Sequence, residues 1–558
     1  MHKRIRERTA PPYSLLLIVG FFALSYILFP LWSLVRESTG GTSFSFDAYR
    51  GLLRPSLLEA ALNSILISIL SVIGSAVVGT FLAYVLSFVD IPGKAFFSRA
   101  LLIPLALPPL VGVISFLFLI GESGMLSRIL SAILGLPTSF FTVNGWTGIL
   151  VVHIYSFYVY FYLLVSSALS QLDGNALDAS ASLGANRSRT IRKVLLPMLT
   201  PSLVAASLMT FMASMASFSA PLLFGGTTRF LTLEIYTAKL NGDDSSAAAL
   251  SILLAVISIV ILYLLRWWQS HQHVLLESKG TRRASVINHG KFVHWTVVVL
   301  TMGISFLFAL PIITVVVLSF VKEGSWTFQI FPSAFTVANY SKLLTESELL
   351  DPLINSVRMS SVATALVILV GVVASYLVAR KQFWGRKVLE GVLSIPFGIP
   401  GTVIAVGLIL SFSRPTVFSF QSILIGTFWI MPLAYAVRNL PLLYRSTTAG
   451  LEAISPSLYD AAEVLGSPPA ATFRKVILPL LVPAIISGAL LVFVNSAGEF
   501  VSSILLYTYS TKPVSVEILS QLRLFNIGGA AVQSTLLMAL VIGVVAASQR
   551  VFRSEFTA

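Results

Sequence analysis

Long apolar runs separated by short polar or basic stretches set the pattern of the chain. The first extends from Tyr13 to Val35, and others centre on 58–88, 98–120, 146–170, 200–224 and 247–268. A second set follows at 292–320, 355–380, 388–412, 419–443, 481–507 and 529–552. About 20 helical residues cross the hydrocarbon core of a bilayer, so each run is long enough to span it. The pattern predicts an all-α polytopic membrane protein with about 12 transmembrane helices. Proline and glycine recur inside the runs, which is tolerated where neighbouring helices satisfy the freed backbone groups. The Tyr13–Val35 run follows a basic start, Met1 to Arg8, but exceeds the apolar core of a cleavable signal. It is expected to remain as the first helix.

Composition supports this reading. The 558 residues are 56% hydrophobic and 11% charged, less than half the charged share of an average soluble chain. Cysteine is absent, which excludes a disulfide framework, a thiolate metal site and a catalytic thiol together. His2, His271, His273, His289 and His294 sit in charged tails or linkers, where solvation is expected rather than metal binding. His153 lies in an apolar run without a nearby partner in sequence and reads as a packed helix residue. The net charge of +14 falls in short clusters between apolar runs and forms no contiguous basic face, so nucleic acid is not an expected partner.

Those clusters orient the chain. With the N-terminus inside, the inner segments carry Lys3–Arg8, Lys94 and Arg99, Arg187–Lys193, Arg266–Lys291, Arg380–Lys387, Arg474 and Lys475, and Arg550 and Arg553. Most of the 37 lysines and arginines fall on that side, as the positive-inside rule requires of the cytoplasmic face. Both termini are expected to be cytoplasmic.

The chain also repeats itself. An offset of 292 residues takes Asn63-Ser64 to Asn355-Ser356, Gly79 to Gly371, Tyr84 to Tyr376, Pro104 to Pro396 and Pro108 to Pro400. Further on the offset becomes 282, taking Asp178 to Asp460, Gly184 to Gly466, Leu196-Pro197 to Leu478-Pro479, Pro201 to Pro483 and Phe218 to Phe500. A longer outer loop near Ser123–Gly145 accounts for the change. Each half therefore holds about six spans in one order, and an even number inserts both halves in the same orientation. The repeats are placed at 1–280 and 281–558, joined by the polar stretch Gln269–Lys291, with substrate expected to pass between the halves.

A long cytoplasmic loop follows the fourth span of each half. The first reads Leu177-Asp178-Ala179-Ser180-Ala181-Ser182-Leu183-Gly184 and continues to Leu196-Pro197; the second reads Tyr459-Asp460-Ala461-Ala462-Glu463-Val464-Leu465-Gly466 and continues to Leu478-Pro479. Alanine-rich helix carries little bulk and lets another protein approach its backbone. Asp178 and Asp460 complement a helix N-terminus, Gly184 and Gly466 can end a helix at positive φ, and proline suits the start of the next span.

In spacing, both copies resemble the EAA loop of binding-protein-dependent ABC importers: acidic–Ala–Ala, three residues, Gly, nine residues, an aliphatic, one residue, Leu-Pro. They depart in having Asp first, and Ser180 replaces the second alanine of the first copy. The resemblance covers essentially the whole chain and implies two tandem six-helix permease repeats of the MetI-like fold. It assigns Asp178, Ala179, Ser180, Gly184, Leu196 and Pro197 to one ATPase-coupling loop, and Asp460, Ala461, Ala462, Gly466, Leu478 and Pro479 to the other. No G-x-x-x-x-G-K-[ST] phosphate loop occurs, so the chain is expected to be no enzyme, with no catalytic residue and no cofactor of its own. ATP and Mg would be bound by two copies of a separate ATPase subunit at the cytoplasmic face. An extracytoplasmic binding protein would deliver substrate, and the chain would lie in lipid as a multi-pass protein of the bacterial inner membrane.

The cargo is less sharply indicated. The segments Ser217-Phe218-Ser219-Ala220-Pro221 and Ala497-Gly498-Glu499-Phe500-Val501 are similar to those of ferric-iron importer permeases, with thiamine, phosphonate and polyamine permeases as near relatives. Leu233-Glu234-Ile235 and Val516-Glu517-Ile518 fit the outer end of the fifth span of each half. Glu499 falls within an apolar run, where a carboxylate is a functional candidate by default; it and Ser217 are the expected pathway residues, against a gating or packing hydrogen bond as the alternative for Glu499. Arg358 and Arg438 lie at span ends, where snorkelling is expected. A secondary transporter is a rival class, but would pair acidic residues across spans and have no duplicated docking loop. An intramembrane enzyme would need a buried nucleophile with its base, or clustered ligands, and none is found.

Overall fold

In the computed structural model, residues 13–41, 44–171, 179–180, 182–270, 291–326 and 329–555 are described. The helices used below are α1 (Tyr13–Ser38), α2 (Pro55–Phe88), α3 (Pro109–Ile120), α4 (Gly145–Ser170), α5 (Leu196–Met215), α6 (Ser219–Phe224), α7 (Leu231–Leu240) and α8 (Asp244–Ser270). In the second half they are α9 (Lys291–Ser319), α10 (Ser347–Arg380), α11 (Arg386–Gly398), α12 (Gly401–Phe412), α13 (Ile430–Ala453), α14 (Ser457–Val464), α15 (Leu478–Ala497), α16 (Ser503–Leu506), α17 (Val514–Arg523) and α18 (Ile527–Glu555). No strand occurs among the described residues; one isolated bridge joins Val321 and Phe335.

The helices follow from a solvent in which backbone groups must bond within their own segment. Hydroxyls inside the spans obey the same rule: Ser64, Ser68 and Ser71 of α2 donate to the carbonyls of Ala60, Ser64 and Ile67 one turn earlier. Ten helices among the described residues are long and apolar enough to cross a membrane, or eleven if the bent pair α11–α12 counts as one span. The expected twelve included α13, which has 24 residues but does not meet the apolar criterion, because Arg438, Asn439 and Arg445 interrupt it.

Proline breaks several of the expected continuous spans. The run at 98–120 is divided into short helices at Lys94–Ala100 and Ile103–Ala106 before α3 begins at Pro109. Its counterpart at 388–412 bends by 112° between α11 and α12, at Ile399-Pro400. Proline has no N–H to donate and its ring crowds the preceding turn. The fifth spans also stop early, at Met215 and Ala497, and each is followed by a short helix, α6 or α16. Glu234 and Glu517 accordingly lie on separate short helices, α7 and α17, instead of at the ends of the fifth spans.

Two compact units result, each drawing on both sequence halves. One contains residues 1–52, 235–252 and 337–558, and the other 53–234 and 253–336. In the first unit, α1 packs on α12: Ser411 donates to Ser33 at 2.8 Å, Tyr26 donates to the Phe418 carbonyl at 3.2 Å, and Phe29 meets Phe412 and Phe418. In the second, α9 packs on α4, with Phe308 rings 5.4 and 4.6 Å from those of Tyr155 and Tyr158. Each unit thus takes the first helix of the other half. The boundary expected at 280/281 lies outside the described residues.

Repeat-related residues have repeated jobs. A Cβ on Gly79 would fall within contact distance of the Tyr158 carbonyl and 2.6 Å from Phe161 Cβ; one on Gly371 would lie 2.7 Å from Leu443. These glycines let α2 approach α4, and α10 approach α13. Asn63 donates to the Arg229 carbonyl while Ser64 accepts from the Leu231 amide. Asn355 donates to the carbonyls of Ser510 and Lys512 while Ser356 accepts from the Val514 amide. The Asn-Ser pairs staple the starts of α7 and α17 to the long helices α2 and α10, leaving the breaks at Ser217 and Glu499 held at both ends.

Candidate coupling loops and pathway site

The second of the two repeated loops is fully described. α14 starts after Pro456, which supplies the helical φ of a first turn. Asp460 lies in that first turn, where its charge complements the helix end. The helix is closed by Leu465 and Ser467 amides donating to the carbonyls of Ala461 and Ala462, at 3.1 and 2.9 Å. Gly466 takes φ of +72°, which an L side chain rarely adopts, while the space around its Cβ position is open. The glycine is therefore demanded by conformation and not by crowding. Ala462 faces inward, and Val464 and Leu465 stand 86% and 85% exposed as an apolar tip.

This loop is braced from below. Arg380, at the end of α10, donates to the carbonyls of Leu451 and Ile454 at 2.5 and 3.2 Å. Its guanidinium carbon lies 4.5 Å over the Tyr459 ring. Ile454, Ile477 and Leu481 form a small core beneath, with Phe473 edge-on to Tyr376 at 5.0 Å.

The first loop repeats the outline with different contacts. Ala179, Ser180 and Ser182 are helical, and Gly184 takes φ of +73°. Leu183 and Ala185 amides donate to the carbonyls of Ala179 and Ser180, both at 3.0 Å. Ser180, where the second loop has Ala462, is buried with its hydroxyl 3.0 Å from that of Thr190. The equivalent Thr472 donates to Ser467. Leu183 is the exposed apolar tip. Asp178 lies outside the described residues. In both halves a single π turn, Ile191–Leu195 or Phe473–Ile477, runs into the helix begun by Leu196-Pro197 or Leu478-Pro479.

The two breaks behind the fifth spans carry polar networks at equivalent positions. In the first, His153 is buried and reads as a helix residue, as expected, but it has partners on both ring nitrogens. Nε2 is 2.9 Å from the Ser217 hydroxyl, and Nδ1 is 2.9 and 3.2 Å from those of Ser71 and Ser214. Thr232 donates to the Ser217 carbonyl at 3.0 Å. This network contains no fixed carboxylate or guanidinium.

The second break is charged. Glu499 lies just past the end of α15, in the turn before α16, and not within a continuous span. Arg438 Nη1 donates to both Glu499 oxygens at 2.7 Å. The Ser502 amide donates to one of them, also at 2.7 Å. Ser503 and Ser515 hydroxyls both donate to the Glu499 carbonyl at 2.7 Å. Tyr435, at the position that His153 occupies in the first repeat, meets Ser503 at 2.7 Å, and Asn439 donates to Ser496. Arg438 is therefore no snorkelling side chain: it sits in the third turn of α13 and turns to a buried carboxylate. Arg358, by contrast, is exposed on α10. Sequence reasoning missed the Arg438 pairing and the His153 partners because they join residues 61 to 82 apart; the one available signal was an ionisable or polar residue at the same repeat position in both halves.

On α17, Glu517 is buried against Lys512 and accepts from Gln521 at 2.5 Å. Among the described residues, no group of three or more His, Cys, Asp or Glu is placed to hold a metal ion.

The family model described as "Binding-protein-dependent transport system inner membrane component" matches the chain twice, at residues 75–273 and 367–557. The chain is 28% identical to "Probable ABC transporter permease protein y4fN" of Sinorhizobium fredii, over 96% of its own length and 95% of the relative's. It is 26% identical to "Ferric transport system permease protein FbpB" of Actinobacillus pleuropneumoniae, over 95% and 76%. A shorter match, 31% identical over 28% of this chain and 72% of the relative, is to a molybdenum transport system permease protein, YvgM, of Bacillus subtilis. With both repeats matched, and the breaks and loops duplicated at the same offsets, the chain belongs to the binding-protein-dependent ABC transport permeases of the inner membrane, as two fused copies of that component.

Proposed function

We propose that this chain forms the complete membrane path of an ATP-driven importer for ferric iron. Two copies of an ATPase subunit, which bind the ATP and Mg, dock on the loops at 179–184 and 457–466, and a binding protein delivers cargo to the outer face. Both termini are cytoplasmic, which puts the two loops on the ATPase side. The observation that carries the coupling assignment is the duplicated helix closed by a positive-φ glycine, with Leu183 in one copy and Val464 and Leu465 in the other left exposed. Apolar side chains held out on a short, rigid helix are what a groove on a partner would receive. The breaks at Ser217 and Glu499 lie on the translocation path, where the helix axis is interrupted and polar groups are concentrated.

Ferric iron is favoured because relatives named as ferric permeases match 89 to 95% of the chain, whereas those named for molybdenum or molybdate, sulfate or spermidine and putrescine match 28 to 44%. The test is uptake by proteoliposomes holding the chain, its ATPase and its binding protein. Iron uptake that requires ATP, and is not displaced by thiamine, spermidine or molybdate, is the expected result. ATP-independent uptake would overturn the importer reading, and uptake of one of the competitors in place of iron would overturn the cargo.

A further inference from the structure

We propose that Arg438 and Glu499 form a charge-neutral lock that holds the break between α15 and α16 closed, so that Glu499 is the counter-ion of Arg438 and not a ligand for cationic cargo. The proposal rests on the reading that this break lies on the translocation path. Three observations carry it. The Glu499 carboxylate is already occupied, by two bonds from Arg438 Nη1 and one from the Ser502 amide. A carboxylate kept for a passing cation would not be neutralised by a guanidinium at 2.7 Å, since the neighbouring positive charge repels the cargo it is meant to attract.

The guanidinium also occupies a place made for it. A Cβ on Gly401 would collide with Arg438 Nη1 and lie 3.3 Å from the Ser502 hydroxyl, and that hydroxyl donates to the Gly401 carbonyl. One ion pair therefore ties together α13, the bend between α11 and α12, and the start of α16. Finally, the repeat offsets place Ser217, Ser156 and Pro109 where Glu499, Arg438 and Gly401 stand. Neither charge occurs alone in the first half: acid, base and the glycine that admits the base are present together or not at all. Such a pair is costly to desolvate and is retained where it fixes one arrangement of the elements it joins.

The chain has no cysteine, so a single Val501→Cys reporter, buried two residues after Glu499 within the break, reads the break directly. It is combined with Glu499→Gln, Arg438→Gln and the double neutral variant in the fully assembled transporter. Modification by a water-soluble methanethiosulfonate is measured without nucleotide or cargo, and uptake is measured in parallel. Each single variant is expected to speed labelling and reduce uptake by tenfold or more, and the double variant to return both to within threefold of the parent. Labelling indifferent to all variants, or a double variant as inactive in uptake as Glu499→Gln, overturns the lock; the second result would make Glu499 a cargo ligand. Should a single variant fail to assemble, recovery of assembly and uptake in the double variant supports the pair, and failure of both refutes it. Labelling needs no cargo, so a wrong cargo assignment leaves that arm readable.

Discussion

Replacing Arg380 with alanine removes the brace beneath one coupling loop and leaves the loop's own sequence intact. The side chain donates to the Leu451 and Ile454 carbonyls and lies over the Tyr459 ring. Hydrogen bonds from a charged donor contribute about 1.5–3 kcal/mol each, and a cation–π contact at a partly exposed site about 0.5–1 kcal/mol. Arg380 is half-buried, and solvent screening together with non-additivity brings the combined effect on the loop to about 2–3 kcal/mol. Local opening of residues 454–466 should then become roughly 30- to 150-fold more frequent. Amide hydrogen exchange on the purified transporter reads this as a matching loss of protection in α14. The first loop supplies an internal control, because the repeat places Phe88 and Leu177 where Arg380 and Tyr459 stand; exchange at 182–190 should not change. Cargo moved per ATP hydrolysed should fall severalfold, as a loosened α14 transmits less of the ATPase motion. Unchanged protection in α14, or an equal loss in both loops, would refute the bracing argument.

Three further outcomes follow from the same geometry. Val464→Glu with Leu465→Glu alters two fully presented side chains, so the ATPase should no longer co-purify in stoichiometric amount while the thermal midpoint of the chain stays within a few degrees; retained ATPase would remove this tip from the interface. Gly79→Ala places a methyl against the Tyr158 backbone and should destabilise by about 1–3 kcal/mol as the helices part. Gly371→Ala meets only the movable end of Leu443 and should cost less, and Gly303→Ala, with open space around it, should be neutral; thermal unfolding in detergent ranks the three. Gly466→Val forces a branched side chain to φ of +72° at a cost of about 1–2 kcal/mol, and should lower ATPase stimulation by the binding protein without altering α15; a fully stimulated variant would show that the left-handed turn is dispensable.

The sequence determined the membrane class, the repeat and both loops, because each rests on local or periodic information. Apolar length dictates spans, an offset that carries Gly79 to Gly371 and Gly184 to Gly466 reveals duplication, and a helix closed by glycine is legible within ten residues. It read interrupted spans as continuous for an equally local reason. A run that averages as apolar hides the point at which a helix stops, with proline at 107–108 and without it at 216–218 and 498–502, so these breaks were read as continuous. The tertiary structure alone decided where the charges go. Arg438 lies on α13 and Glu499 in the turn between α15 and α16, and Gly401 of a third element leaves room for the guanidinium between them. The exchange of first helices between units was likewise invisible, since α1 and α9 carry generic apolar faces whose partners are selected by packing. A pattern along the chain reports what each residue must satisfy, but only the fold determines which distant residue satisfies it.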